Sequence, residues 1–121
     1  MERAELNFLM ELAIKAAQSA SSVLLEHLDK QNEALVIRAK RDGSLVSSAD
    51  MASHRIIQNV LADSGIPLIS EEGDLPAFSE RSTWPLYWLV DPLDGTESFL
   101  KNRSGFAINI ALCNQDGPFL G

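Results

Sequence analysis

Trp88-Leu89-Val90-Asp91-Pro92-Leu93-Asp94-Gly95-Thr96 is the stretch that decides the reading of this chain. The run Leu86-Tyr87-Trp88-Leu89-Val90 is apolar and rich in strand formers, and it ends at Asp91. Pro92 fixes φ and Gly95 tolerates a tight turn, so the carboxylates of Asp91 and Asp94 can face one point beyond the strand end. Two like charges about 4 Å apart repel by about 4 kcal/mol at an effective dielectric of about 20, so a convergent pair calls for a cation or a shared proton.

Upstream, Pro67-Leu68-Ile69-Ser70 reads as a brief buried strand that ends in the acidic Glu71-Glu72-Gly73-Asp74, and Leu75 to Pro85 reads as a loop. A connection of about fifteen residues is long enough for a parallel crossover, which would bring Glu71 to Asp91 and Asp94. Three carboxylates, with the Leu93 carbonyl as a further oxygen, favour Mg²⁺, Mn²⁺ or Ca²⁺. The sequence has no Cys/His cluster of the kind zinc uses.

Downstream, Gly95 to Leu100 reads as a short helix, whose N-terminal amides at Gly95 and Thr96 suit a phosphate anion. Gly105 to Cys113 reads as a strand, and Asn114-Gln115-Asp116-Gly117 as a hairpin turn into Pro118-Phe119-Leu120-Gly121. A second hairpin strand this short and apolar looks like a sheet cut in mid-strand, so the expectation is that a longer parent continues past residue 121.

Toward the N-terminus, Leu6, Leu9, Ala13, Ala16, Ala20, Val23, Leu24 and Leu28 recur at helical steps, predicting an amphipathic helix from Arg3 to about Asp29. Its alanine-rich middle suits close packing, and His27 near its end suits the helix dipole. Leu35-Val36-Ile37 reads as a strand and Lys40 to Ser44 as a turn. A second helix starts at the capping pattern Ser47-Ser48-Ala49-Asp50, carries Ala52, Ile56, Val60 and Leu61 as its apolar stripe, and stops at Gly65.

The 121 residues, 45% hydrophobic and 22% charged, suit one globular domain. A net charge of −7, with the basic residues scattered, speaks against nucleic acid or an anionic membrane as the partner. The N-terminus lacks a signal peptide's basic and apolar regions, and no run approaches the about 18 apolar residues of a transmembrane segment, so a cytoplasmic setting is expected. The lone Cys113, in an apolar run, agrees with a reducing compartment and reads as a buried structural thiol.

Each acidic residue also has an ordinary reading. Asp-Pro and Asp-Gly are common turn pairs, Thr96 can cap a helix, Asp50 can complete a capping box, and Glu71 to Asp74 can be a solvated loop. Their joint placement at strand ends and helix starts favours a site.

Taken together, Ser47-Ser48-Ala49-Asp50, Ser70-Glu71-Glu72 and Trp88 to Thr96 resemble the signature of the lithium-sensitive, magnesium-dependent phosphatase superfamily that includes inositol monophosphatase. The match runs in family order along nearly the whole chain. With Phe106-Ala107-Ile108-Asn109-Ile110-Ala111-Leu112, the sequence looks most like the bacterial CysQ group of 3'(2'),5'-bisphosphate nucleotidases, which remove the 3'-phosphate of adenosine 3',5'-bisphosphate, a by-product of sulfate assimilation.

The resemblance implies an α+β sugar-phosphatase fold, with long helices on a mostly antiparallel sheet. Residues 1–121 would be a single N-terminal metal-binding domain. It implies Glu71, Asp91, the Leu93 carbonyl and Asp94 as magnesium ligands, with two or three ions in a complete site and Li⁺ as inhibitor. Glu71, Leu93, Asp94, Gly95 and Thr96 would meet the substrate; Glu71, Asp50 and Thr96 are the catalytic residues, Asp50 and Thr96 orienting and helping to deprotonate the attacking water.

The chain departs from the CysQ pattern at Glu97-Ser98, where Lys-Glu is usual, at Ser104-Gly105, where a Gly-acid pair is usual, and at Ser47, where Thr is usual. Relatives run to about twice this length and carry a further aspartate ligand in a Trp-Asp motif, so the chain alone is expected to turn over weakly or not at all. Inositol monophosphate hydrolysis and a non-catalytic metal-binding or interaction module are the alternatives. The superfamily often dimerises, which makes a homodimer a further expectation.

Overall fold

The computed structural model describes residues 1–29, 37–39, 45–73, 75–95 and 107–121. The expected strand residues Leu35 and Val36, the turn from Lys40 to Ser44, and the expected helix beyond Gly95 lie outside the described residues.

Helix α1 spans Arg3–Asp29, without Gly or Pro to break it. Among its side chains described, Leu9, Leu12, Ala16, Ala20 and Leu24 are buried. Ala16 and Ala20 are fully buried, so the alanine-rich middle is where α1 closes on its neighbours, as its small side chains suggest. By length and composition alone Arg3–Glu26 could cross a membrane, which corrects the expectation that no run comes near that size. Four of its buried residues nevertheless belong to a core shared with the second helix and the sheet, which accounts for the apolarity.

Short strands β1, Ile37–Ala39, and β2, Leu45–Ser47, pair antiparallel and lead into α2, Ser48–Leu61. A 3-10 turn over Ala62–Ser64 ends at Gly65, whose φ of 67° is the left-handed conformation that glycine adopts at least cost. The buried residues of α2 are Ala49, Asp50, Ser53, His54, Ile57 and Leu61. The inward stripe therefore uses Ile57 where hydropathy alone selects Ala52, Ile56 and Val60, because three inward positions are polar.

The main sheet has the order β3-β4-β5-β6. Strand β3, Leu68–Ser70, runs parallel to β4, Tyr87–Asp94. Strands β5, Ala107–Asn114, and β6, Gly117–Leu120, continue antiparallel, joined by the expected tight turn in which the Asp116 amide donates to Asn114 Oδ1 at 2.9 Å. The β3 to β4 connection is not all loop: α3, Phe78–Arg81, adds one turn, too short to leave any periodicity in the sequence. The core joins α1, α2 and the sheet through Leu9, Leu12, Ile57, Leu61, Trp88, Val90 and Leu112. The architecture is α+β with a mostly antiparallel sheet.

Candidate metal centre

Ser70 and Val90 are register partners at the end of the parallel pair, and the Glu71 amide donates to the Val90 carbonyl at 3.2 Å. Glu71 and Asp91 therefore leave neighbouring strands side by side, as the crossover argument requires.

Strand β4 does not stop at Asp91. Asp91 pairs with Asn109 and Asp94 with Ala107, so three steps on β4 match two on β5. In a regular strand, residues three apart point to opposite faces; one extra residue restores the parity, so the bulge lets Asp91 and Asp94 share a side. The Leu93 amide closes the turn by donating to Asp91 Oδ1 at 3.3 Å, and Pro92 and Leu93 are buried beneath it. Gly95 follows with φ 87°, where a Cβ would be strained.

The Asp91 carboxyl is pushed up to about 6, by burial first and then by the negative charge of Glu71, with Asp94 and Glu72 adding to it and the Leu93 amide opposing it. Asp94 is exposed and accepts a long 3.5 Å hydrogen bond from Asn109 Nδ2. Asp50 is fully buried in the first turn of α2. Thr96, the remaining expected site residue, lies outside the described residues, as do Glu97, Ser98, Ser104 and Gly105.

Among the described residues, no group of three Asp, Glu, His or Cys side chains stands close enough to enclose an ion. What the fold assembles around Asp91 is a concentration of carboxylate charge. The donor set of Glu71, Asp91, Asp94 and the Leu93 carbonyl is all hard oxygen, which fits magnesium.

Residues that hydropathy overlooked hold this region together. Ser53 Oγ donates to the Pro92 carbonyl at 2.7 Å, and His54 Nδ1 shares a 2.8 Å hydrogen bond with Ser70 Oγ, both buried. The Ser70 oxygen also receives the Glu72 amide at 3.3 Å. A signal for this was present: Ser53 and His54 follow Asp50 by three and four positions, so all three share one helix face.

Comparison with known proteins agrees with this fold. The sequence profile of the inositol monophosphatase family matches residues 5–121. The 3'(2'),5'-bisphosphate nucleotidase CysQ of Salmonella typhimurium is 40% identical over 115 residues, which cover 93% of this chain and 46% of that protein. The chain thus spans about half the length of the curated relatives it matches. Among solved structures, the extragenic suppressor protein SuhB of Bartonella henselae superposes with a TM-score of 0.76 at 30% identity, over 88% of this chain and 40% of that one. CysQ of Bacteroides thetaiotaomicron gives 0.73 at 32% identity, over 90% and 39%. The fold, the order of the acidic motifs and the extent of these matches together establish that the chain belongs to the inositol monophosphatase family.

Proposed function

We propose that this chain is the metal- and phosphate-binding part of a magnesium-dependent phosphomonoesterase whose substrate is adenosine 3',5'-bisphosphate, losing its 3'-phosphate. The observation that carries the reading is the junction of β3 and β4, where Glu71 and Asp91 emerge together and Asp91 is pushed up to about 6. Such a concentration of negative charge is relieved by a divalent cation.

Glu71, Asp91, the Leu93 carbonyl and Asp94 would hold magnesium, and the bound ion supplies Lewis acidity at the phosphate oxygens. The chain's own groups do the rest. The Gly95 and Thr96 amides bind the phosphate. Asp50 and Thr96 orient a water for in-line attack on phosphorus and take up its proton, with Glu71 completing the catalytic set. No covalent intermediate with the protein forms. The identity to CysQ proteins supports the nucleotide assignment, and a cytoplasmic setting and a part in sulfur assimilation belong to the same proposal. The buried free thiol of Cys113 suits that compartment. A homodimer belongs to the same reading.

Calorimetry with Mg²⁺, alone and with adenosine 3',5'-bisphosphate, tests the proposal together with phosphate release from that nucleotide and from inositol monophosphate. Mg²⁺ binding is expected, with weak or no turnover by this chain alone and Li⁺ suppressing any turnover. No Mg²⁺ binding under either condition overturns the reading. Faster release from inositol monophosphate, the alternative suggested by the inositol monophosphatase family profile, would reassign the substrate. Mg²⁺ binding without release, from a gene that stops at residue 121, would support a non-catalytic module.

A further inference from the structure

The inward face of α2 carries polar side chains where a core stripe would carry apolar ones. Ser53 is fully buried and His54 is 8% exposed, and each reaches a different strand end. The Ser53 bond to the Pro92 carbonyl, at 2.7 Å, grips the bulge between Asp91 and Asp94. His54 grips Ser70, the last residue of β3, and the turn after it. That turn is closed by the Gly73 amide donating to the Ser70 carbonyl at 3.1 Å, and Gly73 packs against the imidazole, since a Cβ added there would stand 3.3 Å from His54 Cε1. Two neighbouring side chains of one helix therefore tie down the ends of both strands from which the acidic groups emerge.

We propose that Ser53 and His54 are positioning residues that hold the strand ends carrying Glu71 and Asp91 side by side and fix the bulge that leads to Asp94, and so favour cation binding there. The inference rests on the magnesium reading given above. Burying two polar side chains costs free energy that apolar residues at these positions would not incur, and their bonds offset that cost only in the observed geometry. Neither residue supplies a metal ligand. Their effect passes through the Pro92 carbonyl and through Ser70.

The test uses the whole chain and Mg²⁺ as the probe. Ser53→Ala and His54→Leu are each expected to weaken Mg²⁺ binding in calorimetry by about 10-fold, the scale on which groups supporting metal ligands act. Ser53→Cys keeps the volume with a weaker donor and is expected to fall between Ser53→Ala and the wild type. His54→Asn, whose amide can occupy the place of Nδ1, is expected to restore binding to within about 3-fold, well inside the loss expected for His54→Leu. Hydrogen exchange without metal gives an independent reading. Ser53→Ala should speed exchange at the Leu93 and Asp94 amides relative to Leu112, which a general loss of stability would not do. Equal Mg²⁺ affinity in the wild type, Ser53→Ala and His54→Leu overturns the positioning role and leaves the magnesium reading intact. A wild-type chain that binds no Mg²⁺ overturns both. Should Ser53→Ala or His54→Leu fail to fold, Ser53→Cys and His54→Asn decide the matter: affinities unchanged from the wild type for Ser53→Cys, or lost for a folded His54→Asn, count against it.

Discussion

Glu71 donates its amide to the carbonyl of Val90, and through that bond its carboxylate is brought alongside the residue after Val90, Asp91. The raised Asp91 carboxyl follows first from burial and then from this neighbour.

Because the folded value is about 6 against 3.8 for the free group, the metal-free protein binds a proton at Asp91 that the unfolded chain releases. Below pH 3.8 both states are protonated and Asp91 costs nothing; between 3.8 and about 6 the cost grows, and above that it is complete. Asp91→Asn is therefore expected to raise the melting temperature at pH 7 to 8 in chelator, and to lose that advantage by about pH 4. Melting curves across this range check it; equal gains at both ends would contradict the shift.

His54 has the opposite sign. Burial holds it below its usual 6.5; Glu72 opposes this and Arg55 adds to it. The unfolded chain then takes up the proton first, so the stability that depends on neutral His54 is present above pH 6.5 and is lost as the pH falls through 6.5 and below. His54→Asn should lose less stability than the wild type between pH 7 and 5, measured by denaturant titration.

Trp88 is fully buried, and its Nε1 donates to Ser64 Oγ at 3.0 Å, the same oxygen that receives the Ile66 amide at 3.1 Å. Trp88→Phe removes this bond and leaves space behind, so a loss of about 2 kcal/mol is expected from urea unfolding. Ser64→Ala should cost less than Trp88→Phe, since the tryptophan's packing survives.

Cys113 is buried on β5 opposite Tyr87, and burial pushes its thiol up, with a hydrogen bond from Tyr87 opposing. A thiol that is both covered and protonated is a poor nucleophile. Alkylation at pH 8 should proceed at the rate of unfolding, and labelling as fast as a small free thiol would show that the strand opens.

How far the sequence reveals this fold depends on where hydropathy and structure coincide. The long helix, the Gly65 stop, the parallel approach of Glu71 to Asp91 and the closing hairpin are all readable, because each rests on periodicity, on turn chemistry or on the reach of a crossover. The second helix is placed correctly but read with its stripe rotated, because Asp50, Ser53 and His54 occupy inward positions that hydropathy assigns to solvent. The end of β4 is read too early for a related reason: the ladder resumes after the bulge, and no local propensity announces that. The α3 turn is invisible because four residues cannot display a period.

The bulge also determines what can be moved elsewhere. Asp91 and Asp94 are an odd number of steps apart, and the Pro92 carbonyl between them is held by Ser53 of a helix, thirty-nine positions earlier in the chain. Residues 91–95 copied onto a flat host sheet would send the two aspartates to opposite faces. A working transplant would have to carry the second helix and the third strand with it, so the smallest portable unit is an assembly of three elements drawn from distant parts of the chain.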